Sequence, residues 1–313
     1  MHVSNSKLKV SIIIPTYNRS QLLDYSLASL VQQDIDKRDF EVIVADDGSS
    51  DDTKEVLRRY EDKMNTRYVY QPDKGYRPAS ARNMGIRVAE GHICLFMDSG
   101  VMLNSDCVRQ HIDFYARMND NVAVVGYIYG FQRTKDSEIK LKELIDISNV
   151  ADSISKISKN PLFFDVREVH YVNYNYQIHD LPASWLYFWT CHVSATRYQL
   201  LSAGLFDENY DGRWGGEDND IAIRLVQQGV KLHLLRSAEA IHYPHDKDAE
   251  GRQSEGYQNC KYLNDKYGTL ETQLLFDHYL DETNFVDINK LSIEIRGNNE
   301  SITNLTDVSV VKQ

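Results

Sequence analysis

The first hundred residues switch period every ten or so positions, and that alternation limits the chain to one broad architecture. "KVSIII" (9–14) and "FEVIVADD" (40–47) are short apolar runs rich in β-branched residues, as expected for strands buried on both faces. Between them "RSQLLDYSLASLVQQ" sets Leu22, Leu23, Leu27, Leu30 and Val31 at helical spacing. "DDTKEVLRRYED" reads as a second helix with acids in its first turn, "TRYVYQ" as a third strand, "SARNMGIRVAEG" as a third helix ending at Gly91, and "HICLFMDSG" as a fourth strand. Strands alternating with helices in this way predict an α/β fold, a mostly parallel sheet with helices on both faces.

Residues 131–182 break the rhythm and are expected to form a helical insertion or lid within a domain spanning 1–270. Regular patterning returns with "SWLYFWTCHVSA" (184–195), a helix after Gly216 and a strand at "VKLHLL" (230–235). "QNCKYLNDKYG" and "ETQLLFDHYL" read as C-terminal helices. Residues 271–313 are expected to form a C-terminal helix and a polar tail that frays over "RGNNESITNLTDVSVVKQ".

Charge and composition exclude several function classes. With 35 basic against 46 acidic residues the net charge is -11, so the surplus of Lys and Arg that a general nucleic-acid binder needs is missing. No run of 18 apolar residues is present to span a membrane, and the apolar run near the N-terminus is too short for a signal-peptide core; a cytoplasmic protein is expected. Cys94, Cys107, Cys191 and Cys260 form no CxxC pair and read as buried free thiols. No GxGxxG follows the first strand, and the chain has no P-loop, HExxH or GxSxG.

Ligands of open α/β sheets bind beyond the carboxyl ends of the strands. Here those ends read "PTYNRS", "ADDGSSDD" and "FMDSG", each by itself an ordinary turn. A fourth segment, "WGGEDND" (214–220), runs straight into "IAIRLVQQG". Acids in a first helical turn are worth ~0.3–1 kcal/mol through the macrodipole, which accounts for Glu217, Asp218 and Asp220. It does not account for Trp214 or the paired glycines, which leave a flat aromatic face beside the carboxylates.

Taken in order, the strand ends and the basic loop "DKGYRPASARNMGI" resemble the nucleotide-binding half of the family-2 glycosyltransferases of the GT-A (Rossmann-like) fold. "FWTCHVSATRYQLLSAGLFDENYDGRWGGEDNDIAIRLVQQG" is similar to the acceptor-side module of galactosyl- and N-acetylgalactosaminyltransferases and of chondroitin-polymerase-like bacterial enzymes. The two matches cover residues 10–130 and 184–245.

On the donor side, Pro15, Thr16 and Tyr17 can edge a pocket for a flat base, and Asp47 can accept the imide N–H of uracil, with Asp46 supporting the turn. Lys74, Arg77 and Arg82 offer donors for a diphosphate. The resemblance implies an Asp-X-Asp metal motif, whereas this chain reads Asp98-Ser99-Gly100 and lacks the outer carboxylate. Asp98 is then left to bind the ribose or to reach a metal. By the same resemblance His242 falls at a metal-binding histidine, so Asp98, His242 and two diphosphate oxygens form a ligand-poor site for Mn²⁺ or Mg²⁺, with His245 at the surface. On the acceptor side the resemblance makes Asp218 the general base, Glu217 the anchor of the acceptor sugar and Trp214 its aromatic platform. The resemblance therefore implies an inverting transfer from a UDP-sugar to a glycan hydroxyl. The alternatives are a degenerate, non-catalytic sugar-nucleotide or glycan binding module, and a transferase acting on a peptide side chain. A helix N-terminus lowers a carboxylate pKa while a general base profits from a raised one, so Asp218 needs burial or a neighbouring acid to serve.

Overall fold

The computed structural model describes residues 8–118, 121–131, 134–245, 249–279 and 287–309. The first part runs β1 (Val10–Thr16), α1 (Ser20–Val31), β2 (Phe40–Asp46), α2 (Thr53–Arg58), β3 (Thr66–Tyr70), α3 (Pro78–Val88) and β4 (Ile93–Met97), the order that the alternating periods predict. β5 (Val101–Leu103), α4 (Cys107–Met118) and β6 (Val122–Tyr129) follow. Residues 131–182 hold α5 (Lys135–Leu144), α6 (Val150–Ile157) and α7 (Glu168–Asn173). The chain ends with β7 (His192–Thr196), α8 (Arg197–Ser202), α9 (Glu217–Gln227), β8 (Lys231–His242), α10 (Ala249–Tyr267), α11 (Leu270–His278) and α12 (Ile288–Ser309).

The strands form one sheet in the order β3-β2-β1-β4-β7-β6-β8-β5. Four of its pairings are parallel and three, β4 with β7, β6 with β7 and β5 with β8, are antiparallel. Alternating side chains divide the core between the two faces. Ile13, Ile43, Phe96 and Val193 pack with α3, α6 and α9, while Ile12, Ile14, Val42 and Leu95 pack with α1, α2 and α4. The fold class expected from the sequence is the one observed.

Three local expectations change. "HICLFMDSG" is not one strand: β4 stops at Met97, and Asp98-Ser99-Gly100 turns the chain into β5, which pairs with β8 at the far edge. Gly100 has φ +98° in this turn, and Val101 N–H donates to Asp98 O at 3.0 Å. The irregular 131–182 segment is anchored in the core by Leu141, Ile154, Ile157, Phe163, Tyr171 and Ile178. A buried ion pair, Arg167 Nη2 to Asp165 Oδ2 at 2.7 Å, fastens it further, since Asp165 also accepts Ile128 N–H and Arg167 donates to Tyr187 O. Buried charges inside an apolar segment are what obscured its period. Lastly, the tail expected to fray from residue 296 is helical as far as Ser309, with 310–313 outside the described residues. The root of α12 is held by Asn289, which accepts Ala183 N–H at 2.7 Å, and by the Arg296–Glu271 pair at 2.7 Å.

Candidate active site

The DDGS turn and the loop after β3 are built against each other. Asp46 Oδ1 accepts the N–H groups of Gly48 and Ser49, and its Oδ2 accepts Tyr68 OH at 2.6 Å, so this acid supports the turn. Gly48 has φ +97°, and a Cβ there would lie 2.3 Å from Asp73 N; only glycine lets the loop lie this close. Buried Asp47 receives Gln71 Nε2 at 2.7 Å, Arg77 N–H at 2.7 Å and Arg77 Nη2 at 2.8 Å. Burial is the largest influence on its carboxyl and raises the pKa, against the lowering by those donors. Tyr17, 44% exposed, donates to Asp73 Oδ2 at 2.8 Å beside half-buried Pro15 and buried Thr16, whose hydroxyl oxygen has no partner. Lys74 is exposed at the tip of the same loop.

At the end of β4, Ser99 is buried and donates to Pro15 O at 3.1 Å, which ties two strand ends together. The position of the missing outer carboxylate is Gly100, whose left-handed backbone suits glycine and little else. Asp98 projects from this turn and meets Arg82 Nη2 at 3.1 Å. Arg82 is not part of the open basic loop as the sequence suggested. It lies buried on α3 with its Nη1 2.9 Å from Glu217 Oε1, so both ends of its guanidinium are committed to carboxylates. His242 ends β8 opposite Val101, buried, with its ring stacked on Phe131 at 4.6 Å between centroids. His245, expected at the surface, is half-buried with its ring 5.2 Å from that of His242.

The WGGEDND segment is positioned from two sides. Asp211 accepts Ala79 N–H at 3.0 Å and Ser80 N–H at 3.2 Å, capping α3 from another part of the chain, and Gly212 N–H donates to Tyr76 O at 2.7 Å. Asn259 of α10, fully buried, donates to Gly215 O at 2.7 Å and lies within hydrogen-bond reach of the carbonyls of Tyr210 and Arg213. Gly215 and Gly216 have φ +86° and +91°, which explains the pair, and Trp214 keeps 38% of its surface exposed.

The three acids occupy three different environments. Asp220 is fully buried and structural, held by Lys266 Nζ at 2.6 Å, Tyr267 OH at 2.8 Å and Arg224 Nε at 2.9 Å. Glu217 is buried against Arg82, and its Oε2 has no partner. Asp218 is half-buried and accepts Asn219 N–H at 2.8 Å. Desolvation and then the Glu217 charge push the Asp218 carboxyl up to about 7, while Arg82 pulls the other way. Asp98 acts on it in the same upward sense, so the acids at the end of β4 and at the start of α9 share one space.

Sequence reasoning passed over Asp211, Asn259 and the true partners of Arg82. Asp211 had a signal: α3 opens at "RPAS" with no side-chain cap of its own, so the cap had to come from elsewhere. Asn259 sits in an unremarkable helical stretch and had none.

An α/β sheet with acids, an aromatic face and a basic loop gathered at the strand ends defines a glycosyltransferase of the GT-A fold. The chain matches Glycosyl transferase family 2 over residues 11–175 and the N-terminal domain of galactosyltransferase over residues 174–246, and it belongs to glycosyl transferase family 2. It is 34% identical over 267 residues to validoxylamine A glucosyltransferase of Streptomyces hygroscopicus subsp. jinggangensis, covering 85% of this chain and 63% of that protein. To chondroitin synthase of Escherichia coli it is 34% identical over 256 residues, covering 79% of this chain and 36% of that protein. The crystal structure of S. aureus TarS 1-349 in complex with UDP-GlcNAc superposes with a TM-score of 0.58 at 16% identity, covering 87% of this chain and 69% of that one. The chain thus spans less than two thirds of the length of either relative.

Proposed function

We propose that the chain transfers a hexose or N-acetylhexosamine from a UDP-sugar to a hydroxyl of a glycan acceptor, with inversion, in a single displacement. The observation that carries this reading is Asp218: a half-buried carboxylate raised to about 7 by burial and by Glu217, beside an exposed tryptophan face and close enough to Asp98 to feel its charge. One base facing one acceptor hydroxyl suffices for such a displacement, with no protein nucleophile. In this reading Pro15, Thr16, Tyr17 and Asp47 hold the nucleoside, Trp214 stacks the acceptor sugar, and Asp218 takes its proton. Glu217 anchors the acceptor from beneath through its unpartnered Oε2. The validoxylamine and chondroitin enzymes named above support sugar transfer, and the UDP-GlcNAc complex of TarS supports the donor class.

A divalent cation such as Mn²⁺ or Mg²⁺ fits the donor set only as a ligand-poor site. Asp98 offers one carboxylate, already facing a guanidinium, position 100 has no side chain, and His242 is stacked on Phe131. When bound by Asp98, His242 and the diphosphate, the ion would supply charge neutralisation of the leaving group. Lys74, on the exposed loop, supplies part of that charge from the chain itself. No helix among the described residues is long and apolar enough to cross a membrane.

The test is a thermal-shift screen of UDP-, GDP- and CMP-sugars with and without Mn²⁺, followed by UDP release from the stabilising donor. Stabilisation by UDP-sugars with slow hydrolysis and no acceptor supports the transferase reading. Stabilisation without any UDP release, even with glycan acceptors added, supports the non-catalytic binding module. Preference for a GDP- or CMP-sugar overturns the donor assignment.

A further inference from the structure

Behind the sheet, on the face opposite the Asp98–Arg82–Glu217 cluster, three metal-ligating side chains converge in the core. Cys107 and His111 lie one turn apart on α4, and His192 opens β7; all three are fully buried. Cys107 Sγ and His111 Nε2 each lie 3.3 Å from His192 Nε2, and all three ligand atoms fall within 4.8 Å of one another.

Hydrogen bonding alone does not satisfy this arrangement. A neutral imidazole nitrogen carries either one hydrogen or one lone pair, never two of either. His192 Nε2 faces two neighbours at hydrogen-bond distance, so one contact is always left unsatisfied in a dry core. A single cation at the centre uses all three lone pairs at once. Bonds of about 2.05 Å to nitrogen and about 2.3 Å to sulfur at tetrahedral angles put two nitrogens about 3.4 Å apart, and nitrogen and sulfur about 3.6 Å apart. The two nitrogens stand 3.3 Å apart, close to that spacing, and sulfur and nitrogen 3.3 Å apart, about 0.3 Å short of it.

The surroundings orient the ligands. With its proton on Nδ1, His111 donates to Ser194 Oγ at 2.9 Å and turns its Nε2 lone pair inward. His192 Nδ1 makes no hydrogen bond among the described residues. Room for that ring is made by Gly126 on β6, where any Cβ would lie 2.3–2.6 Å from the imidazole. A thiolate and two imidazoles around a divalent ion leave one net positive charge.

We propose that Cys107, His111 and His192 form a Zn²⁺ site of three protein ligands, its fourth tetrahedral position taken by a small exogenous ligand, that clamps α4 to β7. The mixed thiolate and imidazole ligands select zinc over Mg²⁺ or Mn²⁺. The site is separate from the cation of the transfer reaction, and binding there releases the thiol proton.

Metal analysis of the purified chain tests it. About one zinc per chain is expected, bound without UDP and lost in Cys107→Ser, while Cys94→Ala, at a buried thiol outside the cluster, keeps it. Because Cys107→Ser can fail to fold, the parent chain is also stripped and reloaded with Co²⁺. A thiolate-to-cobalt charge-transfer band in the near ultraviolet and intense tetrahedral d–d absorption are expected, with a higher Tm on reloading with zinc. A parent chain that holds no zinc after incubation and gives neither a cobalt spectrum nor a Tm shift overturns the proposal. So does zinc retained by folded Cys107→Ser, or a different metal at one per chain.

Discussion

Arg82 and Glu217, 135 positions apart in the chain, form a buried ion pair of 2.9 Å, and the second arm of the same guanidinium holds Asp98 at 3.1 Å. One side chain on α3 thereby joins the end of β4 to the start of α9.

Removing that link leaves a buried charge alone. Arg82→Met is expected to cost about 3–5 kcal/mol, the scale of breaking a buried pair from one side. Arg82→Met combined with Glu217→Gln should cost clearly less than the sum of the two single changes. Urea unfolding of the four proteins measures the coupling, and additive losses would mean that the pair is not energetically joined.

Asp218 and Asp220 stand two residues apart and should fail in opposite ways. Asp218→Asn is expected to lower turnover by ~10²–10⁴, the usual worth of acid–base catalysis, with UDP affinity nearly unchanged and Tm not lowered. Asp220→Asn weakens the contacts to Lys266, Tyr267 and Arg224 and should cost about 2–4 kcal/mol of stability while the surviving folded protein keeps its turnover. Turnover and Tm measured together on both variants check this. Near-parental turnover in Asp218→Asn reduces the acid to a helix start.

The pH dependence follows from two raised carboxyls. Asp218 must be ionised to accept a proton, so kcat/KM should rise with pH through about 7 and then level off. Burial likewise raises Asp211 to about 7 despite its two backbone donors. Acids raised above their unfolded value stabilise the fold fully below about pH 4 and lose that contribution as the pH climbs through 7. Tm should therefore fall between pH 5 and pH 8, and Asp211→Asn, which keeps an oxygen for the cap, should flatten that slope.

On the donor side, Asp47→Ala is expected to weaken UDP binding by roughly 1–3 kcal/mol, through loss of the imide contact and release of Gln71 and Arg77. Titration calorimetry with UDP reads it directly. Equal affinity in variant and parent removes Asp47 from the nucleoside site.

Asn259→Ala should act only on the acceptor side, because its amide holds the backbone of the glycine turn and touches none of the donor residues. A several-fold higher acceptor KM with an unchanged donor Kd is the expected outcome. A matching loss of UDP affinity would show that the turn and the donor pocket are not separable.

Much of this was legible in one dimension because it rests on local rules. Strand and helix periods gave β1 to β4 with their helices, since backbone pairing and one-sided burial repeat at fixed intervals. The DDGS turn was readable because a left-handed backbone calls for glycine. The helices of residues 131–182 were readable too, but their anchoring in the core and the helix over 296–309 were not, because what orders them is distant: the Asp165–Arg167 pair against β6, and Glu271 and Ala183 against α12.

The sequence by itself determined that acids, an aromatic ring and paired glycines would stand at a helix start, and that polar, acid-bearing turns would stand at the strand ends. What each acid does was decided by tertiary structure alone. Glu217, Asp218 and Asp220 share one helical turn and nearly one local potential, yet one meets Arg82 of α3, one meets Lys266 of α10, and one is left half-buried without a cation of its own. Charge interactions depend on distance through space and on the exclusion of water, and neither is set until the chain has folded.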